Sequence, residues 1–146
     1  MHDSIPRLDW LMRPPGLIRN AAVFSAFIIG EHLHFLRTGP GWRRLRGVYS
    51  IIGNPVVERQ IGRNRRFLQE IESWNLAAEV PARADYSFAL AAIDAVEFDA
   101  SPWNGVTEVV IRAATSRPRR LKLESQDELS DPALRRDFFE RLAPTR

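Results

Sequence analysis

Residues 21–38 hold two apolar runs, AAVFSAFII and HLHFLRT, folded about Gly30. In the first run Val23, Ser25, Phe27 and Ile29 point one way and Phe24, Ala26 and Ile28 the other, so both faces are apolar. That pattern suits a strand with the core on one side and a second covering element on the other. The second run alternates, with Leu33 and Phe35 inward and His32, His34 and, less regularly, Leu36 outward. Gly30 supplies the positive φ of a tight hairpin turn. Expected here is a β-hairpin that opens an antiparallel barrel or half-barrel.

Thr38-Gly39-Pro40-Gly41 breaks the sheet, and the period changes to that of a helix. Trp42, Leu45, Tyr49 and Ile52 trace a first helical segment, which Gly53-Asn54-Pro55 ends. Val57, Ile61, Leu68, Ile71 and Trp74 form a second stripe, broken at Asn64, with Arg59, Arg63 and Arg66 together on the opposite face. Upstream, Arg13-Pro14-Pro15-Gly16 cannot continue a helix. Residues 1–16 therefore read as a tail, with a short helical turn at Trp10, Leu11 and Met12.

Strand character returns at 86–90 and 93–98, and the imperfect alternation of Ile93, Val96 and Phe98 predicts a bulge near Asp94. Pro102-Trp103-Asn104-Gly105 reads as a hairpin loop, followed by strands at 106–112 and 120–124. The last element, 131–142, is a helix with Ser130 as N-cap and Pro132 in its first turn. Leu134, Phe138, Phe139 and Leu142 form its apolar face, with Arg135, Arg136 and Glu140 turned away. Burying those four apolar side chains contributes on the order of 6 to 12 kcal/mol before entropy, which places the helix in the core.

At 146 residues, a single domain over 1–146 is expected. There are no cysteines, which excludes disulfide and thiolate chemistry. No apolar run reaches the roughly 18 residues of a membrane span, and the N-terminus lacks a signal pattern, so a cytoplasmic protein is expected. The formal net charge of +3 is too small to imply a nucleic-acid partner. Its distribution says more: seven arginines fall between Arg43 and Arg66 against one acid, Glu58.

The stretch VFSAFIIGEHLHFLRTG and the succession YSFALAAIDAVEF, VTEVVIRAAT, RRLKLES and a terminal helix resemble bacterial domains of the pleckstrin-homology superfamily, in its GRAM-like branch. Leu90, Ile93, Val96 and Phe98 follow the family's strand-and-turn pattern before the final hairpin. The resemblance implies an α+β fold: a bent antiparallel β-barrel or half-barrel capped by the C-terminal helix, with residues 42–80 as a helical insertion. Five or six strands are countable where the family has seven. Either a strand hides in 76–84 or the barrel is incomplete. Members of the family bind phosphoinositides, proteins or peptides.

Candidate chemistry is sparse. His32 and His34 place two imidazoles on one strand face, about 7 Å apart, with no third ligand in the sequence pattern, so no metal or cofactor is expected. Asp94, Glu97 and Asp99 are spaced as strand-end and turn acids rather than as a catalytic pair. No phosphate loop, nucleophile elbow or dinucleotide fingerprint is present, and no catalytic residue is assigned. The arginine-rich segments carry the functional expectation. Arg43, Arg44, Arg46, Arg59, Arg63 and Arg66 would meet an anionic surface, and Trp103 and Asn104 would form an interaction loop. About half of the basic residues could face one plane, which corresponds to roughly 3 to 4 kcal/mol at an anionic membrane. The expected function is a non-catalytic interaction module that binds a protein partner or, peripherally, an anionic membrane. An Arg-rich nucleic-acid-binding protein is the alternative, and self-association would cover the two-faced first strand.

Overall fold

In the computed structural model, which describes residues 5–16, 19–42, 54–101, 106–115 and 117–142, the strands are β1 (Arg7–Arg13), β2 (Ala22–Ile29), β3 (His32–Pro40), β4 (Tyr86–Ala89), β5 (Ile93–Ser101), β6 (Val106–Ala113) and β7 (Arg120–Gln126). The helices are α1 (Pro55–Ile71), α2 (Leu76–Arg83) and α3 (Pro132–Glu140). All seven strands join one antiparallel sheet in the order β4-β3-β2-β1-β7-β6-β5, and the sheet does not close into a barrel.

The hairpin about Gly30 is present. Gly30 has φ 60°, and β2 and β3 pair from Ile29↔His32 outward to Ala22↔Pro40. The N-terminal segment differs from expectation. Residues 7–13 are neither a tail nor a helical turn but the middle strand of the sheet, paired to β2 on one side and β7 on the other. β1 thus supplies the seventh strand and joins the front three strands, β2 to β4, to the rear three, β5 to β7. A register shift between Leu8 and Leu11 breaks its alternation, and Trp10 within it has φ 64°. A bulge of this kind hides a strand from a period-two search. Residues 76–83 are helix α2 rather than a hidden strand.

The sheet is covered on both faces. On one, Leu11, Phe24, Leu33, Phe35, Val109 and Leu123 pack with Phe138, Phe139 and Leu142 of the terminal segment. On the other, Met12 and Val23 meet Val57 and Ile61 of α1, while Phe27 and Leu36 meet Ile71 of α1 and Val80 of α2. The apolar second face of β2 is therefore covered by the chain's own helices, so it does not call for a partner subunit. Register shifts between Ile93 and Ala95, as the broken alternation of β5 implied.

α3 begins one residue later than the sequence suggested, with the Asp131 carboxylate accepting from the Ala133 amide at 2.8 Å in place of a Ser130 cap. Its face is also rotated: Leu134 is 63% exposed, whereas Arg135 is buried at 5%. A guanidinium is favoured there because β6 and β7 present hydroxyls to receive it, from Thr107 and Ser125.

Candidate functional site

α1 is anchored by a polar contact inside its apolar stripe. Asn64 is fully buried; its Oδ1 accepts from Thr38 Oγ1 at 2.6 Å, and its Nδ2 donates to the Pro40 and Gln60 carbonyls at 2.9 and 2.8 Å. What looked like a break in the stripe is the pin that sets α1 against the end of β3. A Cβ on Gly39 would lie 2.8 Å from Asn64 Oδ1, so glycine permits this approach.

With Val57, Ile61, Asn64 and Ile71 turned to the sheet, Arg59, Arg63, Arg65 and Arg66 are exposed. Arg59, Arg63 and Arg66 stand at i, i+4 and i+7, one line along the helix. Among the described residues none of these three is in an ion pair, and Arg65 lies over the Trp10 ring at 6.0 Å. Neither acid at the C-terminal end of the stripe pairs with it among the described residues. Glu72 is 3.6 Å from Arg7 of β1, and Glu70 borders the stripe without a bridge. Arg43, Arg44 and Arg46, and Trp103 and Asn104 of the expected interaction loop, lie outside the described residues.

Two clefts flank the end of β3. One, of about 310 Å³, lies between α1 and the strand and is lined by Arg63, Arg66, Phe67 and Glu70 with Gly39 and Pro40. The other, of about 460 Å³, opens on the opposite face of the sheet, where Arg37 stands beside Phe24 in register. It gathers Arg13, Arg19, Asn20, Arg37, Asp85 and Tyr86. Arg13 donates to the Tyr86 hydroxyl, lies over the Phe24 ring at 5.5 Å and keeps a buried Nε without a partner. Asp85, the only acid among the described residues lining this cleft, accepts from the Arg37 amide through one oxygen at 2.7 Å. Sequence density singled out 43–66 and missed this second group. Its arginines are scattered along the chain and meet only through the pairing of β1 with β2 and β2 with β3.

The remaining candidates are not brought together. His34 is buried, with Nδ1 2.7 Å from Ser87 Oγ, and stacks on exposed His32 at 6.0 Å. Burial first, and the adjacent His32 second, hold its pKa below the ordinary 6.5. Asp94 and Glu97 stand at exposed positions on the far edge strand β5, where Glu97 pairs with Arg112 at 3.4 Å. No group of three metal-ligating side chains occurs among the described residues, and no helix there is long and apolar enough to cross a membrane.

Comparison with protein-family models, with curated proteins and with solved structures found no match.

Proposed function

We propose that this chain is a non-catalytic interaction module of pleckstrin-homology-like, GRAM-like kind that docks peripherally on an anionic membrane surface. The observation that carries the reading is the line of Arg59, Arg63 and Arg66 on α1, exposed and outside any ion pair among the described residues. Glu70 stands at i+4 from Arg66 but makes no ion pair with it among the described residues, so the stripe leaves its guanidinium groups available to an external anion. Exposed Val56 extends the same face toward the helix N-terminus and offers an apolar contact at the headgroup boundary. The kinship draws support from seven antiparallel strands followed by a helix that packs on their inner face.

Basic residues near an anionic leaflet contribute about 1 kcal/mol each, so the three arginines correspond to an affinity gain of roughly a hundredfold. The association is weak and reversible, and it declines as salt screens it. Flotation with phosphatidylcholine vesicles, with and without phosphatidylserine, tests the reading. The wild type is expected to float only with the anionic lipid, and Arg59→Ala/Arg63→Ala/Arg66→Ala to remain at the bottom. Equal recovery of both proteins removes it.

A further inference from the structure

The geometry points to a two-sided anion clamp: the end of β3 holds anionic headgroups in both of its clefts at once, so the sheet meets the membrane end-on rather than through α1 alone. This rests on the anionic-surface reading above and adds a second binding site to it, Arg13, Arg19 and Arg37, on the other side of the strand.

Three observations lead there. First, consecutive residues of β3 line different clefts, Arg37 the inner and Thr38 the outer, so a single strand separates the two. Second, both clefts lie at one end of the sheet. Arg13 closes β1, Arg19 and Asn20 precede β2, Arg37 is near the end of β3 and Tyr86 begins β4. β4 pairs only with His32 to Phe35, so Arg37 to Pro40 run on past it between the two arginine groups, with α1 packed against Thr38 to Pro40 on one side and Arg37 exposed on the other. Third, the inner cleft is built to receive a negative charge. Arg13 is fixed by Tyr86 and Phe24 while its buried Nε has no acceptor, and Arg19 and Arg37 are exposed without an ion pair among the described residues.

The ligand chemistry is a phosphate or carboxylate oxyanion, the acceptor geometry that a guanidinium fork matches. A small free anion fills one cleft and gains nothing from the other. A surface bearing many anions fills both, and each cleft then raises the effective concentration for the other. Among the described residues the half-exposed aromatics lining the clefts, Tyr86 and Phe67, are engaged by Arg13 and by Trp74, which disfavours a single-stranded nucleic acid stacked on them as the occupant.

The test compares two double variants of the full chain against phosphatidylcholine vesicles carrying increasing phosphatidylserine, and against inorganic phosphate. Arg19→Gln/Arg37→Gln alters the inner cleft without touching Arg13, whose contacts stabilise the fold; Arg63→Gln/Arg66→Gln alters the outer one. Each pair is expected to weaken vesicle binding about thirtyfold, and the four substitutions together by about the product. Inorganic phosphate is expected to bind far more weakly than vesicles and to lose only part of its binding in either variant. The clamp is overturned if wild type floats and Arg19→Gln/Arg37→Gln floats equally well, which leaves docking through α1 intact. It is also overturned if phosphate binds as tightly as vesicles, or if a short RNA is bound and vesicles are not. Wild type that never floats removes the anionic-surface reading itself. Unchanged circular-dichroism melts verify that the exposed substitutions leave the fold in place.

Discussion

Arg135 reaches from the terminal helix to Asp127 just beyond β7, Nη2 to Oδ1 at 2.9 Å, with the guanidinium otherwise enclosed by Ser125 Oγ at 2.8 Å and Thr107 Oγ1 at 3.1 Å. The two partners are unequally placed. Arg135 has 6% of its side chain exposed and Asp127 45%, so the carboxylate stays largely solvated and screened. Removing the arginine strands two buried hydroxyls and opens a gap beneath α3. Arg135→Ala is expected to cost about 2 to 4 kcal/mol. Asp127→Ala is expected to cost about 1 kcal/mol or less, because the charge left behind keeps its hydroxyl acceptors. Urea unfolding of both variants decides it, and equal losses would show that the ion pair rather than the enclosed hydrogen bonds holds the helix.

Asn64 offers a second case in which one polar side chain fixes an element. With Thr38, Pro40 and Gln60 all bonded to it, Asn64→Leu removes the 2.6 Å acceptor of the Thr38 hydroxyl, which keeps the Val23 carbonyl at 3.3 Å, together with the donor to the Pro40 carbonyl, at an expected cost of about 2 to 4 kcal/mol. Thr38→Val alone is expected to cost about 1 to 2 kcal/mol. A double-mutant cycle should then show a coupling above about 0.5 kcal/mol. Additive losses would mean that the 2.6 Å contact contributes nothing beyond packing.

These two residues also mark where the sequence ceased to be readable. The β2–β3 hairpin, α1, β6, β7 and α3 follow clear periods, β5 follows one broken once at its start, and each stands within a few residues of where its apolar pattern placed it. β1 did not, because the shift at Asp9 and Trp10 scrambles its alternation and Pro14-Pro15 suggested a tail. Arg135 was placed on the wet side because a helical period carries no knowledge of the hydroxyls that a neighbouring sheet will present. Asn64 read as a fault in the stripe for the same reason. At the candidate site, the α1 arginines were legible as a local run. Arg13, Arg19 and Arg37 were not, since strand pairing alone collects them.

His34 gives a pH dependence with a definite sign. Its folded pKa is lowered, by burial and then by His32, relative to 6.5. The unfolded chain therefore binds the proton more readily. Stability is fully present above about pH 6.5 and falls as the pH drops from there toward the folded value, below which the penalty is constant. Thermal melts across this range should show Tm declining on the acid side in wild type and a flatter profile in His34→Gln. His32→Gln removes the second cause and should shrink the decline. Parallel profiles for wild type and His34→Gln would assign the acid sensitivity to other groups.

Phe27 tests whether the helical insertion is integral to the fold or a dispensable attachment. Its ring is fully buried on the face that α1 and α2 cover, among Leu36, Ile71 and Val80, with the Arg7 guanidinium over it at 5.3 Å. Phe24, its counterpart on the inner face, is equally buried among strands. If the helices pack as tightly as the sheet does, Phe27→Ala and Phe24→Ala should each cost about 3 to 5 kcal/mol, with single coincident transitions by fluorescence and circular dichroism. A loss near 1 kcal/mol for Phe27→Ala, beside a full loss for Phe24→Ala, would mean that the helices rest on the sheet loosely. In that case α1 would also be a poor platform for holding arginines against a membrane, because side chains on a loosely seated helix spend their binding energy on being ordered.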